Sequence, residues 1–297
     1  MSNNTINKLN DNLKENINEN LVSWLFETKA VRVCQENKPF WYTSGTIGPY
    51  YINTHFLYGN EEKANELLSV IDREKDNKEA CTNIILDMEL KNYEENIIYR
   101  QVIDTMIGYI RENIGKNEIE YISGGERRDW FFSIIVAHML EKPHITIFKD
   151  LDCLLFDKGT ASKEDKISSN KILHIADLIT EASSYERAWI PAIRNLEGNI
   201  KWSLVVVDRL QGGASVLNNY KIASHALVNE DKALFLKAFE MGIIKKQQLD
   251  MIMAYIDDPH ESMKIFIKEH PEFITESLNS DPKTVERAKL CIEKRIY

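Results

Sequence analysis

Apolar positions recur along the chain in two rhythms. Leu9, Leu13, Ile17, Leu21 and Leu25 return every four residues between Asn and charged residues, which predicts an amphipathic helix over about Ile6 to Thr28. From about Asn60 to Ile114 the pattern is again helical, with two breaks. ANELLSVIDRE and YRQVIDTMIGYIRENIG carry apolar stripes, and ACTNIILDMEL is ambiguous between helix and strand. Short continuous apolar runs follow. Ile119–Ser123 meets Gly124 and Gly125, and a helix is expected from there to Leu140; His144–Asp150 (HITIFKD) reads as the next strand. KILHIADLITEASS (Lys171–Ser184) ends an apolar run in an acid and a Thr/Ser turn. The helix-compatible YERAWIPAIRNLEG and a second run, SLVVVDRLQGG, come next. Strand, turn, helix, strand is the βαβ unit of a parallel sheet. Ligands of such sheets sit where strands end and helices begin, so one wall of any active site is expected here.

The remaining stretches divide the chain. FWYTSGTIGPYYINTHFLYGN (Phe40–Asn60) is dense in aromatic and β-branched residues, punctuated by Gly45, Gly48 and Pro49. It predicts a hairpin or extended segments, either packed as a hairpin or exposed as a platform for a planar ring. Leu151–Asn170 turns polar in its second half and lacks periodicity; it reads as a mobile lid or, on composition alone, a surface loop. The character changes after Gly213, and from about 220 to 297 several short helices are expected, with no strand signal. The predicted architecture is α/β, a mainly parallel sheet flanked by helices. Residues 1–217, including the N-terminal helix, form the core domain, and 218–297 a C-terminal helical extension.

Composition narrows the classes. The 297 residues are 43% hydrophobic and 28% charged, enough for a substantial core. A net charge of −9 argues against nucleic acid or an anionic membrane as partner. A local nest of N–H groups still binds an anion in an acidic protein. Cys34, Cys81, Cys153 and Cys291 are far apart and form no CxxC pair, so a zinc site or disulfide framework is not expected. The Asn-rich N-terminus has no apolar core, and no run approaches the roughly 18 apolar residues of a membrane span. A cytoplasmic protein with reduced thiols is the expectation. Near Gly124 and Gly125, Arg127 and Arg128 would place positive charge at a helix start. A glycine pair after a strand is also an ordinary turn.

Four segments in order carry a family resemblance. KILHIADLITEASS resembles the phosphoribosyl-pyrophosphate (PRPP) signature of the type I phosphoribosyltransferases, an apolar strand ending in two acids before a Thr/Gly-rich turn. SGTIGPYYIN (Ser44–Asn53) resembles the orotate-side segment of orotate phosphoribosyltransferases. GGERRDWFFSIIVAHMLEKP stands at the pyrophosphate loop and its helix, and VVVDRLQGG (Val205–Gly213) resembles a strand end rich in Asp, Arg and Gly. Together they span about 40 to 215. The resemblance implies transfer of ribose 5-phosphate from magnesium-bound PRPP to orotate or a related pyrimidine, giving orotidine 5′-phosphate and pyrophosphate. Magnesium arrives through PRPP, with no metal-ligand set on the protein, and the family forms homodimers. By resemblance Asp177 holds the ribose hydroxyls. Thr180, Ser183 and Ser184 cradle the 5′-phosphate, with Gly125 and Arg127 also facing PRPP. Thr180 and Arg209 contact orotate, aided by the backbone of Tyr51, Ile52 and Asn53. Lys149 faces the pyrophosphate, and the 151–170 loop, with Lys158, takes the place of the family's mobile catalytic loop, which reaches across the dimer interface.

The departures fall on the PRPP side. Ala176 stands where the first acid belongs. Glu181 and Ala182 replace a small residue and a Gly, adding charge and removing backbone freedom from a phosphate turn. Thr43 replaces a Lys, and Phe156 stands where the catalytic loop has one. Two readings follow: a divergent enzyme, with Arg127, Arg128 and Lys158 supplying cations, or a retained fold that binds a nucleotide or pyrimidine without transfer, as a regulator or partner module.

Overall fold

The side chain of Asn18 accepts hydrogen bonds from the N–H groups of Asn20 and Leu21 and so caps helix α1 (Glu19–Glu27). Leu21 and Leu25 of the expected stripe are buried. Leu9, Leu13 and Ile17 lie outside the described residues, which in this computed structural model are 18–35 and 38–297. They form two compact units: residues up to Asn53 together with Asp231–Tyr297, and Thr54–Glu230. No helix among the described residues is long and apolar enough to cross a membrane.

In the first unit, β1 (Val31–Val33) pairs antiparallel with β4 (Tyr50–Ile52), and β2 (Phe40–Trp41) with β3 (Ile47–Gly48). The aromatic stretch is packed. Trp41 stacks on Phe273 at 5.5 Å and donates its indole N–H to Ser277 Oγ at 2.9 Å. Tyr50 meets Phe235 at 4.7 Å. A buried Trp needs a partner for its polar tip, and Ser277 supplies it for Trp41.

The second unit holds the sheet. After a 3₁₀ turn (Thr54–Tyr58) come α2 (Glu61–Glu74), α3 (Lys78–Glu95) and α4 (Ile97–Asn113). The ambiguous ACTNIILDMEL is helical, because Cys81, Ile85, Glu89 and Asn92 fall on one buried face at spacings of three and four. Next are β5 (Tyr121–Gly125), α5 (Trp130–Met139), β6 (His144–Ile147), β7 (Cys153–Asp157), β8 (Thr160–Ser162) and β9 (Ile172–Ile179). A π-helical turn (Tyr185–Trp189) runs into α6 (Ile190–Asn195), followed by β10 (Ile200–Asp208), α7 (Gly213–Asn219) and β11 (Ala223–Asn229). The sheet order is β11-β10-β9-β5-β6-β7-β8. Neighbours from β11 to β6 pair in parallel, and β7 and β8 add an antiparallel edge. This is the expected mainly parallel α/β sheet. Its inner strand β9 is buried at nearly every position, as a strand covered on both faces must be. Helix α5 is buried from Trp130 to Ala137, as befits a helix with no solvent face there.

Two expectations need correcting. The 151–170 stretch is not an unstructured loop throughout, for Cys153, Leu154 and Phe156 are buried by pairing with β6. Lys158 (φ +48°) and Gly159 (φ +81°) make the two-residue turn of the β7–β8 hairpin. The segment after 217 begins with a strand, β11, whose half-buried edge position gives it little apolar signal. Helices then run α8 (Lys232–Glu240), α9 (Lys246–Asp257), α10 (Pro259–Glu269), α11 (Glu272–Leu278) and α12 (Pro282–Glu293), all in the first unit.

Candidate functional site

Strands β5 and β9 are neighbours, but the chain continues from them to opposite sides of the sheet. Such a switch point leaves a crevice at the carboxyl ends of the strands. Here it is a cleft of about 730 Å³ lined by Glu126–Asp129, Lys149, Ala176–Thr180, Ala182–Tyr185 and Trp189, among others. The structure therefore brings together Asp177, Thr180, Ser183, Ser184, Arg127 and Lys149.

The turn after β9 keeps the backbone path that a glycine would favour. Ala182 has φ +59°, the left-handed region, and is buried. Thr180 accepts the N–H of Gly213 at 2.8 Å, and the N–H of Glu186 bonds back to Ala182 at 3.1 Å, closing the first helical turn. The hydroxyl of Ser184 does not cap that helix, so the N–H groups of Ser184 and Tyr185, unlike that of Glu186, stay open to another acceptor at the positive end of the helix dipole. Glu181 is exposed and is not among the residues lining the cleft, which answers the like-charge objection to a carboxylate in this turn.

At the floor of the cleft, Asp177 Oδ2 accepts the Thr54 hydroxyl at 2.9 Å and Oδ1 accepts the N–H of Leu178 at 2.8 Å. Burial pushes its carboxyl up to about 7, and the neighbouring Asp129 charge adds to this. Arg128 and the two hydrogen bonds work the other way. Asp129 itself accepts the N–H of Asp177 at 3.2 Å and that of Gly125 at 3.1 Å. The Gly125 N–H, expected to face an anion, is thus already occupied. Gly125 is required for another reason: a Cβ there would lie 2.2 Å from the Trp189 ring that covers the strand end. The cations have mixed fates. Arg127 pairs with Asp72, and Lys149 and Arg128 are exposed. Burial first, then Arg128 and Arg127, pull the His55 imidazole down to about 3, a sign of positive potential on this side.

Other expected residues lie elsewhere. Arg209 follows β10 and holds Glu230 by two hydrogen bonds, Nε to Oε2 at 2.5 Å and Nη2 to Oε1 at 3.2 Å. Lys158 sits at the exposed hairpin tip and lines a separate cavity of about 300 Å³ with Asp157 and His138. Tyr51, Ile52 and Asn53 belong to the first unit, where the Tyr51 hydroxyl donates to the Trp41 carbonyl at 2.7 Å. No group of three or more His, Cys, Asp and Glu arranged to hold a metal ion occurs among the described residues. Asp129 is the site residue that the sequence reading missed.

Among solved structures, the chain is similar to the UMP synthase of Leishmania donovani, with 17% identity and a TM-score of 0.54 over 80% of this chain. It spans only 42% of the length of that protein. An orotate phosphoribosyltransferase of Francisella tularensis aligns over 79% of this chain and 96% of its own, at 13% identity and a TM-score of 0.50. The fold is that of the type I phosphoribosyltransferases. At such identities the likeness is one of fold, and neither family models nor curated protein sequences match this sequence. The turn at Thr180–Ser184 and the loop at Glu126–Asp129 flank one crevice of this fold.

Proposed function

We propose that the cleft binds PRPP by its 5′-phosphate and ribose, and that the chain transfers ribose 5-phosphate to orotate or a related pyrimidine. The observation that carries this reading is the Thr180–Ser184 turn. Its left-handed Ala182, the open N–H groups of Ser184 and Tyr185 and the turned-away Glu181 together suit a phosphate monoester. In this reading the ring nitrogen of the base attacks C1 of the ribose as the bond to pyrophosphate breaks. Asp177 accepts hydrogen bonds from the ribose hydroxyls, and Arg127, Arg128 and Lys149 face the departing pyrophosphate. Magnesium, carried on the phosphate oxygens, would neutralise leaving-group charge.

A second reading has its own observation. Ala176 presents a methyl where an acid is expected, and the Arg209 charge is already matched by Glu230. This arrangement suits a protein that holds a phosphoribosyl compound without transferring it. One assay separates the two: protein with orotate, PRPP and magnesium, watched for orotidine 5′-phosphate and pyrophosphate. Product that disappears in Asp177→Asn supports the enzyme. PRPP binding by calorimetry with no product supports the binding protein, and no binding of PRPP removes both.

A further inference from the structure

Strand β9 offers Ala176 where the phosphoribosyl signature has its first carboxylate, and a methyl group cannot accept a hydrogen bond. A carboxylate nevertheless reaches the same end of the sheet. Asp129 stands at the start of α5, 7% exposed, and lines the cleft together with Ala176 and Asp177. Its Oδ1 accepts the Asp177 N–H at 3.2 Å and its Oδ2 the Gly125 N–H at 3.1 Å, so the group bridges the ends of β9 and β5. Each oxygen keeps a lone pair for another donor.

Behind it lies His174, fully buried, beside Ser123 in register on β5. Its Nδ1 is 3.0 Å from Ser123 Oγ, while Nε2 has no hydrogen-bond partner and lies 3.6 Å from Asp129 Oδ2. The orphaned ring nitrogen is therefore aimed at this carboxylate from the protein side, and the cleft lies on the other. Two buried carboxylates side by side oppose each other and the burial itself. A brace between strand ends needs only a neutral acceptor. A pair of acids is what a vicinal diol, with its two donor hydroxyls, calls for.

We propose that Asp129 supplies, from the helix after the pyrophosphate loop, the carboxylate that β9 lacks at Ala176, and that it pairs with Asp177 to bind the two ribose hydroxyls of a phosphoribosyl ligand. This rests on the phosphate-and-ribose reading of the cleft. His174 positions the Asp129 carboxylate from behind. The phosphate turn at Ala182–Ser184 is a separate structure, so the two halves of the ligand are read independently.

The test is calorimetric binding of two probes, ribose 5-phosphate and inorganic phosphate, to the full chain and to Asp129→Asn, Ala176→Asp and the double variant. The expected result is a loss of at least tenfold in ribose 5-phosphate affinity for Asp129→Asn with phosphate affinity unchanged. Recovery to within about threefold is expected in Asp129→Asn/Ala176→Asp, where the acid has been moved back to the strand. Equal affinity of Asp129→Asn and the unchanged chain for ribose 5-phosphate overturns the proposal. So does a parallel loss of both probes, the mark of a structural brace, or a double variant that fails to recover. If Asp129→Asn does not fold, the double variant, checked by its thermal transition, decides alone. An unchanged chain that binds phosphate no more weakly than ribose 5-phosphate refutes this inference and leaves the phosphate turn standing. One that binds neither removes the underlying reading and this inference with it.

Discussion

Arg209 and Glu230 lock the ends of β10 and β11 together: the guanidinium donates to both carboxylate oxygens of a side chain only 4% exposed. The Glu230 N–H also bonds to the Asp208 carbonyl at 2.7 Å, fixing the register of the pair. An arginine satisfied in this way has little charge left for the carboxylate of a base. Glu230→Gln is therefore expected to raise orotate affinity by about tenfold. It should cost about 1–2 kcal/mol of stability, less than a fully buried pair because Arg209 is 30% exposed. An orotate titration and a denaturant melt read the two effects. Arg209→Ala is the poorer probe, since it leaves Glu230 buried without its partner. Unchanged orotate affinity in Glu230→Gln would remove Arg209 from the base site.

The left-handed Ala182 gives a second prediction. An L-residue there is strained by about 1–2 kcal/mol, which glycine would relieve. Against this stand the loss of a buried methyl, about 0.8 kcal/mol, and the greater freedom of glycine in the unfolded chain, about 0.4–1 kcal/mol. The terms nearly cancel, so Ala182→Gly should leave the melting temperature almost unchanged. Phosphate affinity should rise by about tenfold, the worth of one better-formed hydrogen bond of ~1.4 kcal/mol. A large destabilisation would mean that the Ala182 methyl matters more to the core than the turn geometry does.

The sequence reading reached the βαβ unit and the turn at Thr180–Ser184 because apolar runs and turn residues are local signals. It missed what depends on partners far away in the chain. Asp129 lies in ERRDWFF, where the two arginines attract notice, and its partners Asp177 and His174 are more than forty residues on. The match between Arg209 and Glu230 needs the β10–β11 register, and β11 itself, half exposed at the sheet edge, has too few buried positions to declare a strand. The β7–β8 hairpin was legible in principle. Lys158-Gly159 lies between two β-prone runs, but the polar residues after Ser162 masked the pattern.

The glycines after β10 differ in what they forbid. A Cβ at Gly213 would lie 2.5 Å from the Thr180 carbonyl oxygen and 2.6 Å from the Ile179 side chain, and the first of these is backbone. Gly213→Ala should cost about 1–3 kcal/mol and weaken phosphate binding, because the Thr180 turn must shift to make room. Gly212 has φ +96° and open space around its Cβ position. Gly212→Ala should therefore show only backbone strain, about 1 kcal/mol, and keep phosphate affinity. Parallel melts and phosphate titrations of the two variants check the contrast, and equal loss of binding in both would refute it.

Asp177 ties stability to pH with the opposite sign from most carboxylates. Burial, and then the Asp129 charge, hold its carboxyl at about 7, above the unfolded value of roughly 3.9. Between these values the folded chain binds more protons than the unfolded chain. The contribution of Asp177 is therefore most favourable below about pH 4, falls as pH rises and levels off above about 7, with a slope of at most about 1.4 kcal/mol per pH unit. His55 and His144, both pulled down to about 3 and chiefly by burial, act in the reverse direction as pH falls through their unfolded range. The informative quantity is therefore a difference between variants. Denaturant melts at pH 5 and pH 8 should show that Asp177→Asn loses less stability, or gains more, on going to pH 8 than the unchanged chain. Asp129→Asn should fall between them, because it removes the like charge but not the burial. Ribose 5-phosphate affinity should rise over the same interval as Asp177 becomes an acceptor on both oxygens. A chain whose pH dependence is the same with Asp177→Asn would show that this carboxyl titrates near its ordinary value, and that the cleft floor is wetter than its geometry indicates.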